Sequence, residues 1–119
     1  MRIDEFRALC LSKKGVTEDF PFDETTLVFR VGGKIFALTD TETLPLTFNL
    51  KCEPERAVAL REEHEGIIPG YHMNKKHWNT IIPENGVPVK LIKELTEHSY
   101  QLVFNSLKKT DKEIINNIK

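Results

Sequence analysis

The chain has 119 residues, the size of one ordinary domain. Apolar residues make up 39% and charged residues 29%, a balance that excludes a disordered chain. Lysine and arginine total 17 against 18 aspartates and glutamates, which argues against a strong nonspecific polyanion binder, whose domain is ordinarily clearly basic.

The opening Met1-Arg2-Ile3-Asp4-Glu5-Phe6 is charged at once, and no apolar run is long enough to span a bilayer. No membrane association and a cytoplasmic location are therefore expected. Cys10 and Cys52 form neither a Cys-x-x-Cys pair nor a Cys/His metal spacing, and their scarcity suits a reducing compartment.

Residues 3–12 are expected to form a first helix, with Ile3, Phe6, Leu9 and Cys10 on one stripe, acids at its start and Gly15 after its end. Residues 16–25 read as an acidic loop around Phe20-Pro21-Phe22. Leu27–Val31 and Lys34–Leu38 then flank Gly32-Gly33, a two-residue hairpin turn whose positive φ glycine adopts without steric cost. In the simplest register Leu27, Phe29 and Val31 oppose Leu38, Phe36 and Lys34 and face the core, while Val28, Arg30, Ile35 and Ala37 form a mixed face.

Leu46–Lys51 alternates as a third strand. Pro54 suits the first turn of a helix over 54–64, with Ala57, Val58 and Leu60 inward and Gly66 as its stop. Trp78–Ile82 reads as a strand, preceded by a loop or a short edge strand, and Glu84-Asn85-Gly86 as a turn. A long helix from about Pro88 to Leu107 carries the stripe Leu91, Ile92, Leu95, Leu102, Val103 and Leu107. The main domain is expected over 1–109. Residues 110–119 read as an extension with a short helix capped by Thr110, with Ile114, Ile115 and Ile118 on one side. Antiparallel hairpins followed by helices on one face make an α+β domain.

The segment from Tyr71 to Asn79 is the richest in functional groups, holding His72, Asn74, Lys75, Lys76, His77, Trp78 and Asn79. Cations attract phosphate, an indole stacks on a base and Asn reads a base edge, so this set is the candidate nucleic-acid site. The plainer alternative makes Tyr71 and Trp78 core anchors and the lysines solvated. His72 and His77 lie five apart, without the Cys or carboxylate partners of a metal site, so no metal and no cofactor is expected. Ser12, Ser99 and Ser106 lie outside any nucleophile elbow, no phosphate-cradling glycine loop occurs, and no catalytic motif is visible.

The string Gly70-Tyr71-His72-Met73-Asn74-Lys75-Lys76-His77-Trp78-Asn79-Thr80 resembles the signature of the MmcQ/YjbR family. So do Asp19-Phe20-Pro21-Phe22, Val31-Gly32-Gly33-Lys34-Ile35-Phe36-Ala37, Asn49-Leu50-Lys51-Cys52 with Pro54, and His98-Ser99-Tyr100. The resemblance spans nearly the whole chain and implies a compact α+β fold with an antiparallel sheet. That fold is likened to the double-wing DNA-binding domain of a phage transcription factor of the MotA type, which implies duplex DNA as partner. Two other readings stand beside it. One is a protein-interaction module using the acidic segment Glu18–Glu24 and the mixed sheet face. The other is a small-molecule binder or enzyme using His72, His77 and Asn79.

Overall fold

A computed structural model of the chain describes residues 1–71 and 73–118. In chain order the elements are α1 (Ile3–Leu11), β1 (Val16–Asp19), β2 (Thr26–Val31), β3 (Lys34–Asp40), β4 (Phe48–Lys51), α2 (Pro54–Glu63), β5 (Ile67–Pro69), β6 (Trp78–Ile81), α3 (Val89–Asn105) and α4 (Lys109–Asn116). The strands form one sheet in the order β1-β2-β3-β4-β6-β5, antiparallel at every pairing. This is the expected α+β fold. Every helix interior is free of proline and glycine, while Pro54 and Pro88 stand at helix starts, where a missing N–H costs nothing.

α1 and α3 pack on one face of the sheet. Phe6 of α1 stacks on Phe48 with ring centroids 3.8 Å apart and meets Phe29 edge-on. From α3, Ile92, Leu95, Tyr100 and Val103 enter the same core, with Tyr100 edge-on to Phe36. Thr96 and Ser99 are fully buried beside them, although the apolar stripe does not mark them. Buried hydroxyls need partners. Thr96 donates to the Ile92 carbonyl, and Ser99 donates to the Phe36 carbonyl while accepting the Lys51 N–H at 2.9 Å.

The hairpin forms, with φ of 57° at Gly32 and 81° at Gly33, but not in the simplest register. Val31 opposes Lys34 and Arg30 opposes Ile35, whereas Phe29 opposes Ala37 and Leu27 opposes Thr39. Phe36 is therefore an extra residue on β3, a bulge. It lets both Phe36 and Ala37 be buried in the helix-side core and reverses the facing of all that follows. Leu38, expected in the core, lies instead on the uncovered face.

Three further expectations are corrected. The acidic segment begins with a strand, β1, held by antiparallel pairing with β2; Thr17, Glu18 and Asp19 carry no apolar alternation to announce it. Glu18 points to the helix side and binds Arg7 of α1, with Nε 2.7 Å from Oε1. In α2, Ala57 and Leu60 are buried but Val58 is exposed, and the helix stops at Glu63, where His64 is already extended, not at Gly66. α4 starts after Lys108 rather than at Thr110, and only Ile115 of its isoleucines is buried.

Candidate functional site

Strand alternation divides the sheet's side chains between its two faces. The face away from α1 and α3 carries a central row across five strands, Val28, Leu38, Asn49, Thr80 and Ile68, set by their mutual register, with Val28 and Thr80 buried. One end of this face holds Arg30, Ile35, Lys51 and Trp78; the other holds Thr26 and Asp40. Two loops flank it, residues 20–25 and a second whose described residues are 70, 71 and 73–77.

The second loop and the start of β6 carry the candidate segment, and hydrogen bonds from several elements hold its described residues. Asn74 makes a local turn: its Oδ1 accepts the Lys76 N–H at 2.9 Å, and its carbonyl accepts the N–H groups of His77 and Trp78. The His77 carbonyl accepts the Cys52 N–H at 2.7 Å, tying the turn to the end of β4. From the helix side Arg61 of α2 donates to the carbonyls of Lys75 and Trp78 and to Asn79 Oδ1. Gly70 lies so close to Trp78 that a Cβ there would be 2.9 Å from the Trp78 carbonyl oxygen, so no larger residue fits.

Within this frame Lys75 and Lys76 are exposed and Trp78 is half-buried on the uncovered face, opposite Lys51. The Lys75 ammonium reaches back to the Gly70 carbonyl at 3.3 Å instead of extending freely. Asn79 faces the other way. It is 2% exposed on the helix side, held by Arg61 and donating to the Ala57 carbonyl. Asn79 is thus taken up by Arg61 and Ala57 on the helix side, while His77 lies in the turn before β6. His72 lies outside the described residues.

Alternation already put Lys51 on the outward side of its strand, but only the β4–β6 register sets it beside Trp78. The cleft between the two loops was not visible in the sequence. It measures about 580 Å³ and is floored by Leu38, Asn49 and Thr80, with Phe22 and Tyr71 at its sides. Around it the acids are mostly engaged. Asp19 binds Arg30 at 3.1 Å, and Asp23 accepts the N–H groups of Thr26 at 2.6 Å and Thr25 at 2.9 Å. Those two donors hold the Asp23 carboxyl below its usual range. Among the described residues no group of three or more His, Cys, Asp or Glu side chains is placed to hold a metal ion.

The YjbR family model matches residues 11–102, which include the hairpin, the lysine-bearing turn and most of α3. The chain belongs to the YjbR family. It is similar to the uncharacterized protein YbdF of Escherichia coli O157:H7, 37% identical over 77% of this chain and 75% of that one. It is also similar to the uncharacterized protein YjbR of Escherichia coli K12, 30% identical over 97% of this chain and 98% of that one. Among solved structures, a Deinococcus radiodurans protein with the DUF419 domain superposes with a TM-score of 0.90 at 41% identity, covering 96% of this chain and 87% of that one. A Pseudomonas syringae protein superposes with a TM-score of 0.74 at 31% identity, covering 87% and 99%. The YjbR likeness thus reaches over nearly the whole chain. No helix among the described residues is long and apolar enough to cross a membrane.

Proposed function

We propose that this YjbR-family chain is a non-enzymatic nucleic-acid-binding protein that uses the Lys51–Trp78 end of its uncovered sheet face. The observation that carries the reading is a turn braced from both sides that carries the exposed Lys75 and Lys76 and leads directly into Trp78, which pairs across the sheet with Lys51. Lysines bind phosphate as point charges, and an indole edge beside them suits a sugar or base. A net charge of -1 accords with a local patch rather than a basic domain. In double-wing terms, the two loops beside the face are the projections flanking the bound nucleic acid. Asn74 and Asn79 then act by holding the turn, not by reading bases. Two buried free thiols, Cys10 and Cys52, suit the reducing cytoplasm where such a ligand is met.

The acidic-segment reading is less favoured, since Glu18, Asp19 and Asp23 are each bound within the chain and present little free charge to a partner. The test is a salt titration of binding to labelled duplex DNA, for the parent and for the K51A/K75A/K76A variant. Each lost phosphate contact lowers the slope of log affinity against log salt by about 0.9. Absence of salt-dependent binding by the parent at low ionic strength would overturn the reading.

A further inference from the structure

One row of side chains crosses the face away from α1 and α3 at its Trp78 end. By register Thr17 of β1 opposes Arg30 of β2, Arg30 opposes Ile35 of β3, and Lys51 of β4 opposes Trp78 of β6. Lys51 lies one step beyond the pair of Ala37 with Leu50, level with the bulge at Phe36 and so next to Ile35. Thr17 is exposed and the other four are half-buried. The row reads hydroxyl, cation, aliphatic, cation, indole, with no acid among its members.

Arg30 is held in this row by two of its three nitrogens. Nε donates to Asp19 Oδ1 at 3.1 Å, and Nη1 donates to the Gly33 carbonyl at 3.2 Å. Among the described residues Nη2 has no hydrogen-bond partner, so part of a planar donor fork stays open. A guanidinium already fixed in place loses little further freedom when an anion arrives, which favours binding. The Lys51 ammonium, two strands away, has no ion-pair partner among the described residues. Two strand steps separate the backbones of Arg30 and Lys51 by about 10 Å. The Arg30 head is tied towards β1 and the hairpin, so the two cations meet different anions. A sugar–phosphate backbone alternates anionic phosphates with less polar sugars. Cation, aliphatic and cation in sequence across the sheet complement that alternation.

We infer that Arg30 is a further phosphate-binding residue, and that one backbone of bound DNA runs across the strands from Lys51 to Arg30 with a sugar over Ile35. This rests on the nucleic-acid reading above and extends its site from β4 and β6 to β2. Salt titrations of binding to a labelled, mixed-sequence duplex DNA test it on the parent, R30Q, R30K, K51A and R30Q/K51A. Urea unfolding of each variant checks the fold, because R30Q gives up bonds to Asp19 and Gly33. The slope of log affinity against log salt should fall by about 0.9 in R30Q, by about 0.9 in K51A and by about 1.8 in the double variant. R30K keeps the point charge and should keep a slope near the parent's. R30Q with the parental slope, or a double variant that loses no more than K51A alone, would overturn the crossing path. A loss in R30Q that R30K shares in full would do the same, since it would make Arg30 a brace for the hairpin and not a phosphate contact. In each case a reduced slope in K51A/K75A/K76A would leave the lysine reading standing. Absence of salt-dependent binding by the parent would remove both.

Discussion

Arg61 on α2 donates from Nε to Oδ1 of Asn79 on β6 at 2.7 Å. The same guanidinium reaches the carbonyls of Lys75 and Trp78. One planar fork therefore fixes a buried amide and both ends of the turn that carries the lysines. Replacing Arg61 with Ala strands the buried Asn79 oxygen, and stability should fall by about 1–3 kcal/mol. Arg61→Lys should recover little, because an ammonium cannot reproduce a fork reaching three acceptors. Denaturant midpoints of the two variants would check this. A lysine variant as stable as the parent would show that charge alone suffices.

Gly32 and Gly33 both have positive φ but differ in surroundings. A Cβ on Gly32 would be 2.6 Å from Leu107 Cδ1, while one on Gly33 meets nothing within 4 Å. Gly33→Ala should therefore show only the left-handed backbone cost, about 1–2 kcal/mol. Gly32→Ala should lose more, since Leu107 is buried and must move. Thermal unfolding of both variants measures the difference, and equal losses would mean that Leu107 yields freely.

His98 accepts the Glu53 N–H at Nε2, which requires that nitrogen to be unprotonated. Burial, with the nearby Arg56 charge adding to it, lowers its pKa from 6.5, while Glu53 pulls the other way. With the folded value below the unfolded one, the unfolded chain takes up the proton first. This contribution to stability is intact above pH 6.5 and is lost as pH falls through the folded value. His98→Gln should flatten that part of the stability–pH curve. An unchanged slope in the variant would assign the pH dependence to other groups.

Asp23 fixes the loop that carries Phe22 through the N–H groups of Thr25 and Thr26. Asp23→Ala should speed hydrogen exchange at those two amides while leaving the helix amides near parental rates. Protection unchanged at Thr25 and Thr26 would mean that the strand pairing, not the carboxylate, holds the loop.

Much of this architecture was legible in the residues because local chemistry and tertiary structure agree. Gly32-Gly33 turns, Pro54 and Pro88 start helices, and the stripe through Ile92, Leu95 and Val103 is buried. The failures share a cause, which is that pairing across the sheet is nonlocal. Nothing near Phe36 announces a bulge, so Leu38 was placed on the wrong face. The charges of β1 find partners on Arg7 and Arg30, each eleven residues away and on a different element. In the candidate site, Lys75, Lys76 and Trp78 were recognisable from their types. The inward turn of Asn79 and the opposition of Tyr71 and Phe22 were not, since both depend on register.

The Ser99 bridge bears on the order in which the molecule assembles. Its hydroxyl joins Phe36 and Lys51, positions 63 and 48 residues earlier in the chain. Both lie one step beyond the last β3–β4 pair, Ala37 with Leu50, so Ser99 completes that end of the ladder from α3. The middle of the sheet, with Lys51 at its margin, therefore reaches its final form only after the last long helix has docked. In a chain growing from its N-terminus, the Ser99 link between Phe36 and Lys51 can close only once α3 has been made, so this join between strands is among the last to form.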